Sequence, residues 1–427
     1  MIALGGLSLV ALLLLGAPLF SLMAATALWG FAAEEVSSAA FIIELYRMTD
    51  APTLLAIPFF TFAGFLMAEG GTPRRLTGLA RAFLGWMPGG LAVVTLTTCA
   101  FFTAFSGASG ATIVALGGLL LASLQQENYP EGFSLGLVTT SGGPGLLFPP
   151  SLPLILYGVV AQVNIDHLFL AGIAPGLLLL LILAAYSMNL AGRSEVRRTP
   201  FSTRRLIRAA REAGWELPIP VLILGGIYGG FYTAAEAAAV AAFYVFVIEV
   251  FVYRDIDLFR DVPRIARESM ILVGVILIIL GAALGLTNYL VDQEIPQRLL
   301  ASMRAFTSNR WVFLLTLNLF LLLVGCMMDI FSAIVVVVPL ITPIAREFGV
   351  HPVHLGIIFL TNLEIGYMTP PVGLNLFIAS NRFRKPMSEI WRATLPFLAL
   401  RLAALALITY ISYLTLGPLR WFLGEGF

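Results

Sequence analysis

Apolar residues run through this chain in long blocks, and polar residues collect between them. Ala51 to Ala68, Leu168 to Leu190, Leu217 to Tyr232, Ala234 to Tyr253, Ser269 to Val291 and Ile390 to Leu416 approach or exceed the roughly 20 apolar positions that carry a helix across a bilayer. Ile2 to Leu28 is another such block. It lacks a basic leader and is too long for the core of a signal peptide, so it predicts the first spanning helix. Glu34 to Arg47 is mixed and predicts an interfacial segment. Four further blocks are shorter. Pro88 to Phe105 and Ala111 to Leu124 flank Ser106-Gly107-Ala108-Ser109-Gly110, while Trp311 to Val324 and Ile330 to Ile344 flank Gly325-Cys326-Met327-Met328-Asp329. Each short pair predicts a re-entrant helical hairpin.

A broken helix follows each hairpin. Asn362-Leu363-Glu364-Ile365-Gly366-Tyr367-Met368-Thr369-Pro370-Pro371-Val372-Gly373-Leu374-Asn375 lies in apolar surroundings yet carries paired prolines, glycines and polar side chains. Proline removes a backbone donor and pushes the preceding residue out of helical geometry, so a helix from His354 should break near Gly366 to Pro371. Ser141-Gly142-Gly143-Pro144-Gly145-Leu146-Leu147-Phe148-Pro149-Pro150-Ser151 has the same shape, and splits its span into Gly132 to Gly145 and Pro149 to Gln162. Pro149 to Pro370 and Pro150 to Pro371 are both 221 positions, and that offset also carries Gly145 onto Gly366 and Ser141 onto Asn362. A lone Pro-kinked helix needs no ligand. Two broken-helix units in register point instead to a transport site, because irregular backbone at membrane depth must line a cavity or be buried in protein.

Parity sets the topology. Five crossings separate the two hairpins, so they enter from opposite faces and the repeats are inverted. The connectors 69–86, 192–216, 254–268 and 381–387 share one face and hold most of the Arg and Lys, which marks it as cytoplasmic. The most hydrophilic of them carries Arg193, Arg197, Arg198, Arg204, Arg205, Arg208 and Arg211, and predicts an amphipathic helix lying on membrane lipid between the two halves. Composition agrees with a polytopic all-α membrane protein: 59% of the 427 residues are hydrophobic, 11% are charged, and mean hydropathy is +0.94. A net charge of +1 gives no nucleic-acid footprint. Cys99 and Cys326 both sit in apolar runs and read as packing residues.

The breaks carry the candidate chemistry. Freed carbonyls and hydroxyls suit a hard cation such as sodium. The first candidate ion site is Ser106, Ser109, Ser141, Gly142, Gly143 and Gly145, and the second is Gly325, Asp329, Asn362, Gly366, Thr369 and Pro370. Ser106, Gly107, Ser109 and Asn375 are candidates for the transported substrate. Nothing in the pattern suits a transition metal. Asp329 and Glu364 are ionisable residues inside membrane segments, where such groups are usually functional. Asp329 also fits a helix cap or an interfacial position. Glu236 fits a capping box with Thr233. Gly107-Ala108-Ser109-Gly110 matches the G-x-S-G of rhomboid intramembrane serine proteases, but His167, His351 and His354 all fall on connectors away from it.

The chain resembles the large membrane subunit of the tripartite ATP-independent periplasmic (TRAP) transporters over nearly its whole length. The resemblance rests on Leu55-Ala56-Ile57-Pro58-Phe59-Phe60, Phe148-Pro149-Pro150-Ser151-Leu152-Pro153, Phe169 to Gly176, Gly225 to Gly230, Met328-Asp329 and the stretch Asn362 to Asn375. It implies sodium-driven import of a small organic acid (a C4-dicarboxylate, a sialic acid or a similar carboxylate) in a bacterial or archaeal inner membrane. It also implies a periplasmic substrate-binding protein, a separate small four-helix membrane subunit, and an elevator motion. The corresponding division is 1–86 scaffold, 87–191 first transport repeat (hairpin 87–125, broken helix 132–163), 192–216 linker, 217–309 scaffold, 310–381 second repeat (hairpin 310–346, broken helix 353–381) and 382–427 C-terminal helix. Gly143-Pro144-Gly145 departs from the Thr-Leu-Gly common in the family, which removes a hydroxyl from the first ion site. A self-sufficient carboxylate symporter is the alternative reading.

Overall fold

The structure is a computed structural model that describes residues 17–49, 52–192 and 200–424. Among these residues the regular structure is entirely helical. The first half of the block Ile2 to Leu28 lies outside the described residues, as do Arg193, Arg197 and Arg198.

Chain order begins with α1 (Leu19–Ala33), α2 (Ala39–Thr49), α3 (Ala56–Glu69) and α4 (Thr72–Leu84). The first hairpin is α5 (Gly90–Ser106) and α6 (Ser109–Gln126). The first broken span is α7 (Glu131–Thr140), a 3-10 turn at Gly143–Leu147 and α8 (Leu152–Ala161), with α9 (Ile165–Gly192) after it. Next come α10 (Thr203–Glu212), α11 (Pro218–Tyr228), α12 (Ala234–Val247), α13 (Asp261–Asp292) and α14 (Ile295–Phe306). The second hairpin is α15 (Arg310–Met327) and α16 (Ile330–Glu347), and the second broken span is α17 (Pro352–Gly366) and α18 (Leu374–Phe383). The chain ends in α19 (Met387–Tyr410) and α20 (Tyr413–Leu423).

Several boundaries differ from the sequence expectation. Asp261 to Glu268, read from the sequence as part of a connector, continues the apolar helix, so α13 runs for 32 residues. Its charges support the extension: Arg264 lies 3.8 Å from Asp261 and 3.6 Å from Glu268, at helical spacings. The last apolar block is two helices, because Ile411 leaves helical geometry at φ −110° and ψ 79°. The hairpin arms are 17 or 18 residues long, since polar ends such as Gln125-Gln126 and Arg346-Glu347 continue them. Among the described residues, eight helices are long and apolar enough to cross a membrane, and three of the four hairpin arms are among them. Length alone therefore does not make these arms re-entrant; the placement of their turns, given below, is the stronger sign.

The helices fall into two groups. α1, α2, α3, α11, α12 and α13 pack on one another, with α13 against α1, α2 and α3, and α12 against α3 and α11. The hairpins, broken spans, α9 and α19 form the second group. There the repeats interlock: the second arm of each hairpin packs on the second half of the other repeat's broken span, α6 on α18 and α16 on α8. The groups also meet directly, α3 on α5 and α8 and α13 on α16; α4 packs on both α3 and α5, and Arg75 anchors its start. The Arg75 guanidinium pairs with Glu216, Glu249 and Asp255, and stacks 3.6 Å over the Tyr253 ring. α10 begins at Ser202, whose hydroxyl accepts from the Arg205 amide, and it packs against α4.

Candidate functional site at the helix breaks

Both predicted breaks are present. The first broken span bends by 43° between Leu147 and Leu152. The second loses helical structure from Tyr367 to Gly373. Pro149-Pro150 and Pro370-Pro371 are both cis.

Glycines let each break reach the hairpin of its own repeat. A Cβ on Gly366 would sit 2.6 Å from the Gly325 Cα, so the second break touches α15 backbone to backbone. A Cβ on Gly145 would sit 2.6 Å from the Thr103 Cβ, and one on Gly142 would sit 2.9 Å from the Thr103 hydroxyl and 3.2 Å from the Ser109 Cα. Small residues are what permit such approach between helices in lipid. The offset pair Gly145 and Gly366 thus has the same work in both repeats.

The first hairpin turns at Gly107, which takes the left-handed region at φ +70° and caps α5. A Cβ there would sit 2.8 Å from the Leu152 side chain, so the turn lies against the start of α8. Ser106 is buried, and its hydroxyl lies 3.4 Å from the Ala108 carbonyl. Ser109 is buried at the start of α6, where its hydroxyl accepts from the Asn375 side-chain amide at 2.9 Å. Asn375 opens the second half of the second broken span, so these two substrate candidates meet across the repeats.

The ion-site candidates do not all converge. Asp329 is exposed, and its Oδ1 accepts from the Phe331 and Ser332 amides at 3.0 Å, which caps α16. The capping reading offered by the sequence therefore describes it. Asn362 is fully buried, and its amide nitrogen donates to Asn318 Oδ1 at 2.7 Å and to the Ile358 carbonyl at 2.8 Å. Its amide oxygen has no protein donor. Asn318 lies nine residues before Met327 on α15, about 13 Å along the helix, so the side chain that Asn362 bonds is not at the turn that Asp329 caps. The Thr369 hydroxyl donates to the Ile365 carbonyl at 3.0 Å, and the Ser141 hydroxyl donates to the Leu137 carbonyl. Each oxygen keeps lone pairs with which to meet a cation. Pro370 is exposed within the break.

Glu364 and Arg401 form a pair that the sequence reading did not assemble. Both are buried, Arg401 completely. The Arg401 guanidinium, on α19, donates to the Glu364 carboxylate and to the Thr140 carbonyl. A Cβ on Gly143 would collide with that carboxylate. One signal was available: Arg401 is the single charge in the apolar stretch Ala393 to Leu419, and an arginine at such depth needs a buried partner.

The family described as tripartite ATP-independent periplasmic transporter, DctM component, matches residues 7–414. The chain belongs to that family. It is 39% identical over 392 residues to the C4-dicarboxylate TRAP transporter large permease protein DctM of Pseudomonas aeruginosa, covering 92% of this chain and 91% of that one. It is 40% identical over 373 residues to the isethionate TRAP transporter permease protein DctMQ of Oleidesulfovibrio alaskensis, covering 86% of this chain and 58% of the relative. The crystal structure of the Alcanivorax borkumensis YdaH transporter shares the fold, with a TM-score of 0.66 over 90% of this chain and 89% of that one at 14% identity. This TRAP large permease is a multi-pass membrane transporter and not an enzyme. The hydroxyl that fits the protease pattern, Ser109, is bonded to Asn375 rather than to a histidine.

Proposed function

We propose that this TRAP permease imports a small organic anion across a bacterial or archaeal inner membrane, driven by sodium that binds at the two helix breaks. The reading rests chiefly on Asn362, a fully buried amide oxygen left without a donor just before the second break. A buried acceptor with no hydrogen-bond partner is costly, and a cation is one group that would satisfy it. The second ion site would draw on Asn362, Thr369 and carbonyls around Gly325, Gly366 and Pro370. The first would draw on Ser106, Ser141 and carbonyls at Gly142, Gly143 and Gly145. The capping role of Asp329 leaves it the weakest of the candidate ligands.

Substrate would bind beside the junction of Ser109 and Asn375, near Ser106 and Gly107. The cargoes named for the two relatives, a C4-dicarboxylate and isethionate, are both small anions, and a sialic acid or another carboxylate fits the same class. The group of hairpins and broken spans would move as a unit past the group built on α13, with α4 as one connecting arm, in an elevator motion. A periplasmic binding protein and a small four-helix membrane subunit would complete the system, a reading supported by the word tripartite in the family description.

Uptake into proteoliposomes tests the reading. With an inward sodium gradient, the chain together with the small subunit and loaded binding protein should accumulate substrate. The chain alone should not. Uptake by the chain alone would favour the self-sufficient symporter, and uptake indifferent to sodium would remove the coupling proposal.

A further inference from the structure

The Arg401 guanidinium bonds to parts of both repeats. One arm of its guanidinium meets Glu364, two residues before Gly366 at the end of α17. The other arm meets the carbonyl of Thr140, the last residue of α7. That carbonyl belongs to the negative end of a half-helix and has no partner further along its own helix. Gly143 completes the arrangement from the first break. Without a Cβ it leaves open the space that the Glu364 carboxylate fills, and a side chain there would also lie 2.5 Å from Arg401 Nη1.

The charge balance separates this pair from the ion ligands. Glu364 is neutralised by a guanidinium that is itself fully buried, so it is not a spare carboxylate awaiting a cation. A planar fork can hold a carboxylate and a carbonyl together at fixed separation, which a lysine ammonium does not do. We infer that Arg401 is a positioning residue that fixes the first helix break against the second, and thereby sets the geometry of both ion sites. It need not touch the ion or the substrate. Its effect passes through Thr140 and Gly143 on one side and Glu364 on the other. The inference rests on the proposed sodium coupling.

The test is the sodium dependence of uptake in the complete tripartite system, at matched amounts of folded transporter, for wild type and Arg401→Lys. The expected result for the variant is a sodium half-saturation raised about ten-fold, as for the loss of one charged hydrogen bond. Its substrate KM at saturating sodium should stay within about two-fold of wild type, a shift of only a few tenths of a kcal/mol. A merely structural role would lower yield or melting temperature and leave the sodium curve in place. A sodium-dependent wild type with a superimposable Arg401→Lys curve overturns the inference alone. A wild-type curve flat in sodium overturns the coupling proposal and this inference with it. If Arg401→Lys is not recovered folded, Glu364→Gln carries the same test with the same two outcomes, because it keeps the side-chain shape and removes the charge that the guanidinium pairs with.

Discussion

The Asn375 side chain donates to the Ser109 hydroxyl at 2.9 Å across 266 positions of sequence. The bond joins the turn of the first hairpin to the restart of the second broken helix, so it spans the two repeats at the place where substrate is proposed to bind. Replacing Asn375 with Ala should raise the substrate KM by about ten-fold, the effect of one lost buried hydrogen bond. The sodium requirement at saturating substrate should hardly change. Uptake kinetics of Asn375→Ala, Ser109→Ala and the double variant check this, and the two changes should be less than additive because they remove one interaction.

The close approach of Gly366 to Gly325 makes a second expectation. Gly366→Ala places a Cβ 2.6 Å from the Gly325 Cα, where only backbone can give way, and should cost about 1–3 kcal/mol by overpacking. Gly274 is the matched control, since it lies in α13 with open space where a Cβ would go. Gly274→Ala should be neutral or stabilise the helix by up to about 1 kcal/mol. Thermal melting of the two purified variants in the same detergent separates them.

Arg75 should be a stability residue rather than a transport residue. Its removal leaves Glu216 and Glu249, each 1% exposed, as buried charges facing each other. Arg75→Ala should therefore destabilise the protein by about 3–5 kcal/mol. The melting temperature should fall sharply, with the sodium half-saturation of the surviving folded fraction unchanged.

Much of this arrangement was legible in the chain, and particular residues show why. The paired prolines at Pro149-Pro150 and Pro370-Pro371 break any helix on steric grounds, and their common offset exposed the repeat. Thr233 and Glu236 form the capping box their spacing suggested: the Glu236 amide donates to the Thr233 hydroxyl at 3.3 Å, and the Thr233 amide donates back to the Glu236 carboxylate at 2.8 Å. The helical start at Asp261 was hidden because charge normally marks a connector, whereas here i,i+3 and i,i+4 pairs carry the helix through it. Arg401 was hidden for a different reason. Its partners Glu364 and Thr140 lie 37 and 261 positions away, and sequence pattern reports neighbours along one helix, not contacts between helices. Asp329 and Asn362 fall in one candidate site because each belongs to a polar break of the second repeat, Gly325 to Asp329 in the hairpin and Asn362 to Pro370 in the broken helix. The structure gives them different partners, the Phe331 and Ser332 amides for Asp329 and Asn318 with the Ile358 carbonyl for Asn362, which position along the chain does not fix.

Topology has a direct check. Single cysteines at Arg204 and His351 should be labelled from opposite faces of the membrane, with Arg204 on the cytoplasmic side. Native Cys99 and Cys326 are both buried, which keeps the background low. Labelling of both positions from the same side would break the parity count and the inverted repeat with it.

The sodium half-saturation of Asn362→Ala, measured in the reconstituted tripartite system beside Asp329→Asn, tests the central claim most directly. Asn362→Ala removes the buried, unpartnered amide oxygen without adding charge, and should weaken the ion site by about 1–2 kcal/mol, roughly ten-fold in affinity. Asp329→Asn keeps a good helix cap at the start of α16, and should leave the sodium curve near wild type. An Asn362→Ala protein that transports with the wild-type sodium curve would contradict the account, because the second break would then bind no coupling ion through the atom that carries the proposal.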